Sequence, residues 1–82
     1  MSDQNDYVPI SCASYSDYEV AILHRRTLRV RWKDPDGAEH IERVRPLDLQ
    51  TKNGEEFLIA EDTHGEPLRL RLDWIQSADA IT

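Results

Sequence analysis

Eighty-two residues with 16 Asp and Glu against 10 Lys and Arg give a net charge of −6, enough chain for one small domain and too little for two. That sign opposes nucleic acid and anionic lipid at long range and favours basic partner surfaces, including surfaces that otherwise hold nucleic acid. The single cysteine, Cys12, excludes an intrachain disulfide and suits a reducing compartment.

The first 24 residues contain Asp3, Asp6, Asp17 and Glu19 and no Lys or Arg, so −4 of the −6 lies there, while residues 25 to 82 carry 12 acids and 10 bases. Residues 1–6 are polar, lack the basic and apolar regions of a secretory signal, and read as a disordered lead-in to a single domain over 7–82. Ser16 with Glu19 has the form of a capping box, with Ser14 and Asp17 as a near variant one turn earlier. Asp17 and Glu19 in a first turn, and Arg25 and Arg26 in a last turn, suit the helix dipole, so a helix is expected over 15–25. Its run Val20 to Leu23, which no other apolar stretch exceeds, is too short to cross a membrane; a cytoplasmic protein with no membrane partner is expected.

From Thr27 the period becomes two: Leu28, Val30 and Trp32 alternate with Arg29, Arg31 and Lys33, the pattern of a strand with one buried face. Asp34-Pro35-Asp36-Gly37 marks a tight turn, with Gly37 available for positive φ. Residues 38–45 form a weaker return strand, in which Ile41 and Val44 leave strict alternation and suggest a bulge. Pro46 to Gly54 breaks the strand pattern, with a short turn expected at Leu47-Asp48-Leu49 and a hairpin corner at Asn53-Gly54. Glu55 to Glu61 reads as a central strand. After a turn at Asp62 to Pro67, Leu68, Leu70 and Leu72 alternate with Arg69, Arg71 and Asp73 and lead into Trp74-Ile75. The layout is mainly β with one N-terminal helix. Short strands that must cover their own core by curling point to a small antiparallel β-barrel of the Sm-like or SH3-like kind, over about 27–77.

Catalysis finds no support in these residues: His24, His40 and His64 fall on a helix end, a strand and a turn, and no nucleophile sits beside a base. Cys12 and His24 do not make a tetrahedral metal site, and Cys12 reads as a small buried hydrophobe. No cofactor is expected. Arg29 and Arg31 on one strand and Arg69 and Arg71 on another would form an RNA-binding face if those strands were neighbours. The simpler expectation is a solvated face paired with Glu39, Glu42, Glu55 or Glu56. Asp17 and Glu19 are accounted for by helix capping; the lack of every base from residues 1–24 is not.

Several ordered pieces carry a family resemblance: Tyr7-x-Pro9-Ile10-x-Cys12; Tyr15-x-x-x-Glu19-x-Ala21-x-x-His24; the strand around Leu28 and Val30; Lys33-Asp34 with Gly37; Asp48-Leu49; Lys52-Asn53; Glu56-Phe57-Leu58; and Gly65-Glu66 through Leu70-Arg71-Leu72-Asp73-x-Ile75-x-Ser77. In this order and spacing they resemble the Rof family, small bacterial inhibitors of the transcription termination factor Rho, from Tyr7 to Ser77. The resemblance implies an Sm-like barrel behind an N-terminal helix, without enzymatic activity. It also implies binding to the OB-fold-bearing N-terminal region of Rho, in competition with RNA and with no direct binding of DNA. The family's contact regions map onto the helix and one loop, giving Tyr15, Ser16, Asp17, Glu19, Lys52 and Asn53 as partner-binding residues. Ser16 departs from the family pattern, standing where relatives can have an acid, and the Asp34 to Gly37 turn is longer than usual.

Overall fold

The computed structural model describes residues 8–81; the expected disorder of residues 1–6 lies outside them. Helix α1 spans Cys12–Leu23, followed by strands β1 (Leu28–Lys33), β2 (Glu39–Lys52), β3 (Glu55–Glu61) and β4 (Pro67–Arg71), a 3-10 turn over Leu72–Trp74, and β5 (Ile75–Ala80).

The helix starts three residues before the expected position. Its N-cap is Ser11, extended at φ −68° and ψ 155°, whose side chain accepts from the Ser14 N–H. The Ser16–Glu19 box is therefore not the cap. Asp17 and Glu19 fall in the second turn, where they do not meet the free N–H groups that reward an acid. The helix stops at a Schellman motif: Arg26 N–H donates to the Ala21 carbonyl at 2.9 Å and Arg25 N–H to that of Ile22 at 3.2 Å. Arg25 takes φ +54°, a left-handed conformation most often given to glycine. Arg25 and Arg26 thus follow the helix and do not occupy its last turn.

Strand β1 has the expected alternation, with Leu28, Val30 and Trp32 buried and Arg29, Arg31 and Lys33 exposed. The turn after it is as expected, with Gly37 at φ +87°. The break expected from Pro46, with its short turn at Leu47-Asp48-Leu49, is absent, because β2 continues through it to Lys52. The register shifts between Pro46 and Asp48. Leu47 is the extra residue of a bulge, the place in a strand where a proline without an N–H is tolerated. The bulge lies after Val44, not within 38–45, and Ile41 is exposed. Asn53 and Gly54 close the β2–β3 hairpin with φ of +54° and +78°, the two positive values of a type I′ turn.

Residues 39–44 of β2 pair with β1, and from Arg45 onward β2 pairs with β3. All pairings are antiparallel, in the order β4-β3-β2-β1-β5. Strand β2 therefore belongs to two half-sheets and bends between them. Among the described residues no pairing joins β4 to β5, so the sheet is a bent open one and the expected barrel does not close. The 3-10 turn replaces the expected straight run from Leu68 through Ile75 and carries the chain from one edge to the other.

The core lies in the bend: Val30, Val44, Leu58, Ala60, Leu70 and Leu72 are almost fully buried, and Tyr18 and Ala21 of α1 close over them. The helix packs chiefly on β2. It buries one stripe, leaving Val20 and Leu23 largely exposed.

Candidate partner-binding face

About 100° of rotation per helical residue sorts the exposed positions of α1. Tyr15 and Glu19, four apart, share one flank. Ser16 faces outward, and Asp17 falls about 200° from Tyr15 on the opposite flank. There Asp17 lines a groove against β5.

Tyr15 is half-buried and packs against the core. Its phenol pKa is raised above the usual 10.0, first by burial and then by the carboxylates of Glu56, Glu19 and Asp48. Acids of three elements, α1, β2 and β3, thus act in the same direction on one hydroxyl. Glu56 connects this cluster to the hairpin tip, since it is the register partner of Thr51, while Lys52 pairs with Glu55. Tyr15 and Glu19 thus share one flank of α1 with Ser16 adjoining them and Asp17 set apart, while Lys52 and Asn53 stand at the hairpin tip, where alternation turns the Lys52 side chain to the sheet face opposite that of Glu56. Lys52 and Asn53 are exposed and are held at the tip by the I′ turn rather than in an open loop.

Asp48 and Glu56 are absent from the site residues chosen in the sequence. The I′ signal at Asn53-Gly54 carries the information that finds Glu56, because a two-residue turn dictates the pairing of Lys52 with Glu55 and of Thr51 with Glu56. Asp48 depends on the bulge. Its own carboxylate accepts from the Leu49 N–H at 2.8 Å, beside the register shift that sets where it faces.

The supposed arginine face is not formed. Strands β1 and β4 are separated by β2 and β3. Arg71 is only 7% exposed and makes a two-pronged contact with Asp73, Nε to Oδ1 at 2.6 Å and Nη2 to Oδ2 at 2.8 Å. Glu55 lies 3.8 Å from its other nitrogen, and Trp74 stacks near it at 5.0 Å. Arg69 covers Phe57 at 3.9 Å, and Arg31 meets Glu39 at 3.5 Å. The pairing with Glu39 and Glu55 follows the simpler of the two expectations. Trp32 stacks on His40, centroids 5.1 Å apart, and is buried.

Cys12 is exposed, not buried as expected. Among the described residues no group of three or more His, Cys, Asp or Glu could hold a metal, and no helix is long and apolar enough to cross a membrane.

This architecture is that of a WYL domain, whose family model matches residues 14–80. The same fold occurs in the solved structure of proteasome accessory factor B/C (PafBC) of Arthrobacter aurescens, with a TM-score of 0.77 at 18% identity over 93% of this chain. The chain spans only 13% of PafBC, so this likeness concerns the fold alone. Protein rof of Escherichia coli (strain K12) is 34% identical over 71 residues, covering 87% of this chain and 79% of that protein, and protein rof of Shigella flexneri matches to the same extent. The chain belongs to the Rof family.

Proposed function

We propose that the protein is a non-enzymatic inhibitor of Rho-dependent transcription termination, which covers the basic RNA-binding region of Rho with the face built by α1 and the β2–β3 hairpin. Membership of the Rof family supports the choice of Rho. The observation that supports the choice of face is that Glu19, Asp48 and Glu56, from three elements, all act on the Tyr15 hydroxyl, and that Asp48 and Glu56 belong to the hairpin whose tip is Lys52-Asn53. A surface shaped to hold RNA phosphates is basic, and a preformed acidic face with an aromatic at its centre complements it in charge and supplies apolar contact area. Tyr15 and Glu19 lie at the middle of the contact, Lys52 and Asn53 at one side, Ser16 beside them and Asp17 at the far rim. Part of the acidity comes from strands, so Asp48 and Glu56 keep their places whatever the helix does on contact.

Binding of the protein to immobilised Rho, followed as salt is raised, tests this reading. Affinity is expected to fall steadily with ionic strength. Glu19→Lys is expected to lower it by about tenfold or more, the effect of roughly 1.4 kcal/mol, while Arg29→Ala changes it little. Salt-insensitive binding, or loss with Arg29→Ala and not with Glu19→Lys, would move the contact to another surface.

A further inference from the structure

The two edges of the sheet are unequally protected. Strand β4 begins with Pro67, which has no N–H, and carries Arg69 and Arg71, devices that discourage another strand from pairing there. Strand β5, Ile75-Gln76-Ser77-Ala78-Asp79-Ala80, has no Pro, Lys or Arg. Its inner side is committed to β1. Ile81 N–H donates to the Thr27 carbonyl at 2.9 Å, and the register continues with Asp79 opposite Arg29 and Ser77 opposite Arg31. In an antiparallel ladder the alternate residues, Ala78 and Ala80, then direct their N–H and C=O groups outward.

That edge borders a groove of about 440 Å³. Tyr18, Val20 and Ala21 of α1 form one wall, and Leu72, Ile75 and Ala78 form the other. Its charged lining is Asp17, Asp79 and Arg26, two carboxylates to one guanidinium. A row of outward backbone groups beside an apolar trough is the arrangement that receives an extended segment by strand addition, with alternate side chains entering the trough.

We propose that this groove binds an extended segment of a partner protein flanked by cationic residues, which pairs with β5 as a sixth strand. Charge selects that occupant. The chain's own first residues carry Asp3 and Asp6 and would meet Asp17 and Asp79 with like sign. A second copy would bring another −6 and the same carboxylates. The groove lies on the flank of α1 away from Tyr15 and Glu19 and shares with the Rho contact only the rim residue Asp17.

The test is amide NMR of the full chain titrated with a synthetic peptide of alternating valine and threonine bearing a lysine at each end, beside the same peptide with aspartates in place of the lysines. The lysine peptide is expected to slow hydrogen exchange at Ala78 and Ala80, to concentrate shifts along the groove, and to bind about tenfold or more tightly than the aspartate peptide. Asp17→Lys combined with Asp79→Lys reverses that preference. Ala80→Pro, which removes one outward N–H, weakens binding; the charge reversal keeps the test decisive where the proline variant does not fold. Unchanged exchange at Ala78 and Ala80, equal binding of the two peptides, or a β5-to-β5 dimer of the free protein in sedimentation would overturn the proposal.

Discussion

Asp73 holds three groups at once: the Nε and Nη2 of Arg71 and, at 3.0 Å, the backbone N–H of Val8 ahead of the helix. Both side chains of the ion pair are 8% exposed. Removing one partner of such a pair leaves a buried charge unmatched and costs about 3–5 kcal/mol, a large share of the roughly 5–15 kcal/mol that holds a domain together. Asp73→Ala should therefore lower the urea midpoint more than any exposed acid-to-alanine change, and a loss under about 1 kcal/mol would show the pair to be solvated. Arg25 gives the opposite sign. A left-handed non-glycine residue is strained by roughly 1–2 kcal/mol, and glycine returns part of that as unfolded-state entropy. Arg25→Gly should raise stability by up to about 1 kcal/mol, read from the same denaturation curve. Neither role was legible in the sequence. Arg71 sits in an alternating run that assigns it to the solvent face, and only the 3-10 turn after it brings Asp73 back to meet it.

The β1–β2 turn and the β3–β4 turn use one device twice. Asp34 Oδ1 accepts from the N–H groups of Asp36 and Ala38 at 3.0 and 3.1 Å, and Asp62 Oδ1 from those of His64 and Glu66 at 2.8 and 3.0 Å. Each turn also closes through a backbone bond from the glycine three residues on. Asp34 has its carboxyl pKa held below the usual 3.8 first by the hydrogen bond to His40 at 2.9 Å and then by its turn bonds, whereas Asp62 owes its lowered pKa to the turn N–H groups of Glu66 and His64. A carboxyl whose pKa is depressed on folding binds protons more readily in the unfolded chain. Its stabilisation is complete above the unfolded value and is lost as pH falls through the folded one. Stability should consequently decline on acidification below about pH 4, and less steeply in Asp62→Asn than in the parent. Equal slopes in the two proteins would contradict the assignment.

These turns were legible because Asp, Pro and Gly act locally, as was β1, whose strict alternation matches its burial. The start of α1 was not: Ser11 and Ser16 are both competent caps, and the choice between them rests on how Ile10 and Tyr18 meet the core. The course of β2 was also hidden, because Pro46 signals a break unless the pairing on both sides is known. With β2 misread, Asp48 had no location and the acidic face was seen only as a helix.

At the scale of the whole molecule, one strand serves two half-sheets by changing partner after Val44, and the helix lies across the bend. That placement gives α1 two flanks of different character, an acidic one continuous with the β2–β3 hairpin and a grooved one beside the open edge of β5. The net charge of −6 is thereby given a direction, which the sequence could suggest only as an excess of acids near one end.

The central claim is that the acidic flank occupies the RNA site of Rho. Displacement of a labelled oligocytidine from purified Rho at moderate salt tests it directly, with Glu19→Lys as the control. The account predicts that the protein displaces the oligonucleotide and that the variant, folded to the same denaturation midpoint, loses most of that effect. Rho that retains its oligocytidine with the protein in large excess, or displacement by Glu19→Lys equal to that of the parent, would contradict it.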